Sequence, residues 1–378
     1  MSAVALADLE DLVVPTVWCP IEPSLHPAWQ ELDARALAWA DRFGLRPEPV
    51  QRERLARALA GDLAGRIMPR STARPGLQVA TDYLMWLFVF DDAYCDEGAY
   101  SDRPDAMMEL ALQLARVVET PRLDPAEDRH PAVVTALADI RGRLEDVASP
   151  VQIARWGAAV RAYLMCQAWE ALNRASGVIP SLDQYAASRI DSGSLRATIL
   201  LQDVGNGFEV PHHQISDPRV QALIEMTCTI VGWDNDIFSY AKETRRGGDW
   251  HNLVAILAHE RGCGLNDALT EAVALRDRVL TAYLALRDRV LGDAGPQLTL
   301  FIADLDAWNR GNIDWSARCG RYINTTDGTR SPITVTPESR RTSLEPVPVP
   351  SIRWWWQCLA DAAGGPAPDP AHFSEHCE

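Results

Sequence analysis

One stretch constrains the fold more than any other: from Arg219 to Thr244 the chain has helical periodicity and no proline. Asp217 and Pro218 supply an N-cap and a first helical residue, and Gly247-Gly248 supply a stop. Within this helix Asn235, Ser239 and Glu243 are spaced i, i+4, i+8, so they stack along one face, one turn apart. All three offer oxygen: an amide carbonyl, a hydroxyl and a carboxylate. That set suits a hard cation such as Mg²⁺ and not zinc. Upstream on the same stripe lie Cys228 and Val231, so a polar face runs on into an apolar wall.

The same helix carries Lys242, the single lysine among 36 basic residues. Everywhere else the chain uses arginine. A compact ammonium beside a metal ligand suits a phosphate oxygen. The ordinary alternative is a solvated lysine on the outer side, because one residue is about 100° around a helix.

A formal net charge of −16 argues against nucleic acid and anionic membranes as partners. It also means that an anionic substrate needs local compensation by metals or arginines. A hydrophobic fraction of 47% and a charged fraction of 23% are globular values. The eight cysteines are scattered singly, with no CxxC pair. Residues 1–14 are acidic and lack a basic segment, and no apolar run approaches membrane-spanning length. A reduced, cytoplasmic protein without a membrane anchor is expected. A homodimer is compatible with the sequence.

Read in order, a proline-punctuated arm over residues 14–25 precedes a series of helical patterns. These cover about 27–43, 49–60, 77–91, 104–119, 131–147, 150–175, 181–193, 194–204, 219–244, 253–261, 265–291 and 296–317. Strand patterns are nearly absent. The 265–291 pattern holds the heptapeptide ALRDRVL twice, 11 residues apart, a local duplication on one helix face. The fold class expected is all-α: a single-domain antiparallel helical bundle over residues 1–323. The tail, 324–378, is rich in Pro, Ser, Thr and Arg and is expected to be mobile. Trp354-Trp355-Trp356 is unusual there: a segment docked on the body, docked on a partner, or a short helix.

A second constellation ends the apolar 77–91 pattern: Asp91, Asp92, Asp96 and Glu97. Negative charge at a helix C-terminus opposes the dipole, and close like charges repel. Cations resolve both problems; a solvated acidic loop is the plain alternative. Phe88 shares the side of Asp91 and Asp92 and can face the same cavity, whereas Trp86 and Phe90 read as core. His212 and His213 have no third ligand at zinc spacing and read as structural or surface residues.

Together the two constellations resemble class I terpene synthases, particularly the bacterial cyclases. Asp91-Asp92-x-x-x-Asp96 is similar to the longer-spaced variant of the family's aspartate-rich motif. Asn235-Asp236-x-x-Ser239-x-x-Lys242-Glu243 matches its second metal motif. Arg189, 46 residues before Asn235, resembles the diphosphate-sensing arginine, with Ser192 and Gly193 in the linker and effector positions. Arg321-Tyr322 resembles the C-terminal pair that grips diphosphate. Asp306-x-Trp308 and Gly311-Asn312-x-x-Trp315 look like the last helix. The resemblance spans roughly residues 15–322 and leaves the tail outside.

What the resemblance implies is a Mg²⁺-dependent cyclase of a linear prenyl diphosphate, with three Mg²⁺ ions. Its metal ligands are Asp91, Asn235, Ser239 and Glu243, with Asp96 secondary. Its diphosphate contacts are Arg189, Lys242, Arg321 and Tyr322. Gly193 becomes a break whose carbonyl points into the cavity, a geometry glycine permits. Phe88 and Trp308 become cavity walls that attract positive charge, while Phe301 and Trp315, seven residues either side of Trp308, read as core. Farnesyl diphosphate is the first expectation and geranylgeranyl diphosphate the alternative. A chain-elongating prenyltransferase shares the fold but usually shows two aspartate-rich motifs. A non-catalytic helical binding protein would not need both ligand sets intact.

Overall fold

The computed structural model describes residues 14–45, 48–96, 98–120, 131–245, 250–322, 333–338 and 342–362, with backbone only at 96 and 241–245. The chain is all-α. A two-residue strand, β1 (Val17–Trp18), leads into α1 (Trp29–Arg42), α2 (Pro49–Ala56), α3 (Ala60–Ile67) and α4 (Arg74–Phe90). After a π-helical turn, Asp91–Asp96, come α5 (Pro104–Glu119), α6 (Ala132–Val147), α7 (Pro150–Ser176) and α8 (Leu182–Ser192). Three short helices follow: α9 (Leu195–Ile199), α10 (Gln202–Asn206) and α11 (His212–Ile215). Then come α12 (Pro218–Arg245), α13 (Leu253–Arg261), α14 (Leu265–Leu291) and α15 (Pro296–Ser316). A 3-10 turn (Gly320–Tyr322), β2 (Val335–Thr336), a second 3-10 turn (Pro350–Ile352) and α16 (Trp354–Asp361) complete the described chain.

Local chemistry sets several of these boundaries. Asp217 accepts a hydrogen bond from the Arg219 amide at 2.8 Å, capping α12 where the sequence places the cap. Ser149 with Gln152, and Ser181 with Gln184, form reciprocal capping boxes that start α7 and α8. α4 is apolar almost all round and is correspondingly buried, with Trp86 and Phe90 stacked at 4.9 Å in the core. The two ALRDRVL copies on α14 meet different surroundings. Arg276 of the first is fully buried and pairs with Asp234 of α12 at 2.8 and 3.1 Å. Arg287 of the second pairs with Asp306 of α15 at the edge of the core.

Three expectations are corrected. The 49–60 pattern is not one helix: the chain breaks at Leu59, which takes a left-handed φ of 55°, and α3 starts there. The 194–204 pattern divides into α9 and α10. The tail does not hang free over its described part. β2 pairs in parallel with β1, placing Val17 opposite Val335 and Trp18 opposite Thr336. α16 packs on α12 and α14. Trp355, Trp356, Ile352 and Leu359 are buried, so the tail carries enough apolar surface to dock despite its polar composition. His212 and His213 are exposed on α11. The seven described cysteines are free thiols. Among the described residues, no helix is long and apolar enough to cross a membrane.

Candidate active site

α4, α7, α8, α9, α12 and α15 enclose a cavity of about 930 Å³. Its lower walls are apolar or aromatic: Leu84 and Leu87 from α4, Leu195 from α9, Val231 from α12 and Trp308 from α15. Its mouth brings together Asp91, Asn235, Ser239, Arg321 and Tyr322, from both sequence constellations and the C-terminal pair, with Arg189 from α8.

On the α12 side, Asn235 is engaged at both ends of its amide. Its oxygen accepts a hydrogen bond from Arg189 Nη2 at 3.0 Å, and its nitrogen donates to the Tyr322 hydroxyl at 2.6 Å. Arg189 Nη2 also reaches Asp236 at 2.8 Å and the Gly232 carbonyl at 3.1 Å. Asp236 accepts further from the Tyr185 hydroxyl and from the Leu253 amide at 2.9 Å, so it ties α12 to α8 and α13. One turn on, Ser239 Oγ is buried without a hydrogen-bond partner. An orphaned hydroxyl beside an amide oxygen is a donor set that fits a hard cation. The side chains of Lys242 and Glu243 lie outside the described residues, as does that of Asp96.

On the α4 side, Arg321 donates to Asp91 at 2.8 Å and lies 3.1 Å from Asp92. Arg54 reaches Asp92 from α2, also at 3.1 Å. Guanidinium groups thus resolve the charge conflict that the acidic helix end creates. Phe88 stacks on Trp315 at 5.5 Å with an interplanar angle of 4°, and Arg321 sits 4.9 Å over its ring. Burial pushes the Tyr322 hydroxyl well up from its ordinary value, so it is a neutral hydroxyl in the hydrogen bond with Asn235.

Gly193 lines the cavity, but not by an unusual backbone: its φ is −86°. The left-handed residue is Ser194, at φ 54°. Gly193 and Gly232 instead leave room for Arg189. A Cβ on Gly193 would lie 3.2 Å from Arg189 Nη1, and one on Gly232 would lie 3.2 Å from Arg189 Cγ. Phe301 is core, as expected, but Trp315 lines the cavity alongside Trp308. A whole stripe of α7 escapes the sequence reading: Tyr163, Gln167, Glu170 and Arg174 all face the cavity. Their spacing of four, three and four residues is one face of a helix and is the signal that marks them. Arg174 donates to the Cys95 and Ser101 carbonyls at 3.3 Å and fastens the π-helical turn that carries the aspartates.

Known proteins are similar to this chain in sequence and fold. Residues 82–281 match the family model described as terpene synthase family 2, C-terminal metal binding. A (+)-(1(10)E,4E,6S,7R)-germacradien-6-ol synthase of Streptomyces pratensis is 40% identical, covering 92% of this chain and 98% of its own. A (+)-T-muurolol synthase of Streptomyces clavuligerus, named as cyclising (2E,6E)-farnesyl diphosphate, is 34% identical over 90% of this chain and 81% of its own. Among solved structures, SVS_A2, a protein from ancestral sequence reconstruction, superposes with a TM-score of 0.79 at 34% identity, covering 91% of this chain and 98% of that one. Fold, cavity and relatives together define a class I terpene synthase, a lyase that cyclises prenyl diphosphates. Within that class the chain belongs to terpene synthase family 2.

Proposed function

We propose that this enzyme cyclises farnesyl diphosphate and requires Mg²⁺, which Asp91, Asn235, Ser239 and Glu243 would hold, with Asp96 as a secondary ligand. The observation that carries the proposal is where the guanidinium groups rest. Arg189 lies on Asn235 and Arg321 on Asp91, so positive charge already occupies both sides of the mouth. The orphaned Ser239 hydroxyl supports the same reading. When bound, Mg²⁺ supplies Lewis-acid neutralisation of the leaving diphosphate.

The chain's own groups do the rest. Arg189 and Arg321 turn from their acidic partners to the diphosphate oxygens, joined by Lys242 and the Tyr322 hydroxyl. Charge-assisted hydrogen bonds there stabilise the departing diphosphate and let the allylic C–O bond break. Leu84, Leu87, Leu195 and Val231 exclude water that would quench the carbocation. The faces of Trp308 and Phe88 attract positive charge by cation–π interaction.

The names of two relatives support the choice of substrate. The T-muurolol synthase and a 4-epi-cubebol synthase of Streptosporangium roseum are both named as cyclising (2E,6E)-farnesyl diphosphate. The test is incubation with geranyl, farnesyl and geranylgeranyl diphosphates, with products read by gas chromatography–mass spectrometry. Highest kcat/KM and a cyclic product from farnesyl diphosphate are expected. A higher kcat/KM with geranylgeranyl diphosphate would overturn the assignment of substrate.

A further inference from the structure

The docked tail reaches the α8–α9 junction beside the active site through a chain of hydrogen bonds. Its second 3-10 turn meets the first turn of α8, where the Ser351 amide donates to Asp183 at 2.7 Å. One turn on, Trp355 is fully buried and its indole N–H donates to Glu225 Oε2 of α12 at 2.9 Å. The other oxygen of the same carboxylate accepts from Arg196 Nη2 of α9 at 2.8 Å. Arg196 in turn donates from Nε to Asp191 of α8 at 2.9 Å. Glu225 therefore holds the tail with one oxygen and the α8–α9 break with the other.

That break needs holding. Ser194 adopts a left-handed conformation, φ 54° and ψ 18°, which a non-glycine residue keeps only when its surroundings enforce it. On the inner side, the Tyr83 hydroxyl bonds Ser194 Oγ at 2.8 Å. On the outer side, Arg196 bridges the two helix ends. Between them lie Gly193, on the cavity wall, and one turn earlier Arg189, on Asn235. We propose that α16 is a positioning element of the active site, with Trp355 and Glu225 fixing the helix break that presents Arg189 and Gly193. The inference rests on the proposed roles of those two residues. Neither Trp355 nor Glu225 touches the cavity, so both act through Arg196.

Trp355→Phe tests this, because it keeps an aromatic ring in place and removes the N–H. Amide hydrogen exchange over residues 188–199 should rise about tenfold, as the break opens more often. The value of kcat should fall about threefold to tenfold, with KM within about twofold and a larger share of acyclic products, because one charge-assisted bond is lost at a distance from the substrate. Tyr283→Phe is the control. It loses a 2.9 Å hydrogen bond to Asp306 on the α14–α15 side and is not a member of the Trp355–Glu225–Arg196–Asp191 chain. It should lower Tm while leaving exchange over 188–199 and the product ratio as in the wild type. If Trp355→Phe leaves both unchanged, or changes them no more than Tyr283→Phe does at matched Tm, the tail is packing alone and the inference is wrong. Should Trp355→Phe fail to fold, Glu225→Gln weakens the same junction and is read in the same way. Exchange is measured without substrate, so it decides the coupling even if the wild type turns over no prenyl diphosphate, an outcome that would overturn the proposed function instead.

Discussion

Arg321 and Asp91, 230 residues apart in sequence, share a 2.8 Å hydrogen bond across the cavity mouth. The bond sets up a competition, since the guanidinium stands where a cation bound to Asp91 would neutralise the same charge. Removing Arg321 should therefore help a metal and harm a diphosphate. Arg321→Ala is expected to bind Mg²⁺ alone about twofold to tenfold more tightly, as a competing cation is gone. It should bind inorganic diphosphate with Mg²⁺ about tenfold to a hundredfold more weakly, the worth of one charge-assisted bond. Isothermal titration calorimetry reads both. Unchanged Mg²⁺ affinity would show that Arg321 does not compete for the site.

Arg189 lies in a slot between two glycines. A methyl at Gly232 would sit 3.2 Å from its Cγ and 3.3 Å from its Nε, tighter than ordinary contact. Gly232→Ala should push the guanidinium off Asn235 while α12, a helix in which alanine is favoured, keeps its structure. The expected result is a fall in kcat of about tenfold to a hundredfold with Tm within about 3 °C of the wild type. Gly193→Ala, whose methyl would meet Nη1, should act in the same direction. Wild-type turnover in both variants would mean that Arg189 needs no fixed position.

Much of this site is legible in the amino-acid sequence alone. Asn235 and Ser239 lie at one cavity mouth because a spacing of four residues places them on one face, and a long helix preserves that relation. Arg189 and Arg321 are also recognisable, but only through resemblance, since nothing local shows where a lone arginine will reach. The stripe from Tyr163 to Arg174 follows the same helical rule but does not stand out, because α7 is apolar on other faces too. The helix does break at Gly193, but with an ordinary φ; the crowding that favours glycine there comes from Arg189, which a sequence does not display. Docking of Trp355 depends on a carboxylate at Glu225 that is 130 residues away, and tail composition alone does not reveal it.

Asp304 should make the stability depend on pH. Burial pushes its carboxyl up from 3.8 to about 7, against the pull of Arg70 and Asn206. The folded state thus favours the protonated form more than the unfolded chain does. Stability from this group is complete below 3.8 and is lost as pH rises through about 7. The Tm of the wild type, measured relative to Asp304→Asn by circular dichroism, should fall between about pH 4 and pH 7. A difference that is flat or rises over that range would contradict the assignment.

Lys242 separates two readings of the single lysine. If its ammonium meets the diphosphate, Lys242→Ala should lower kcat/KM and inorganic diphosphate affinity by about tenfold to a hundredfold. Lys242→Arg should retain part of both, because the charge stays but the shape changes. Unchanged values in Lys242→Ala would place the lysine on the solvated side of α12.

On the proposed function, a metal held by the Asn235 face makes diphosphate leave. Release of diphosphate and cyclic product from farnesyl diphosphate is the readout. It is measured for the wild type, Asn235→Ala and Glu243→Ala, with Mg²⁺ and with excess EDTA. The predicted result is turnover only by the wild type with Mg²⁺, all three proteins keeping the same helix content. Full turnover by the wild type in EDTA, or near-wild-type turnover by either variant, would contradict it.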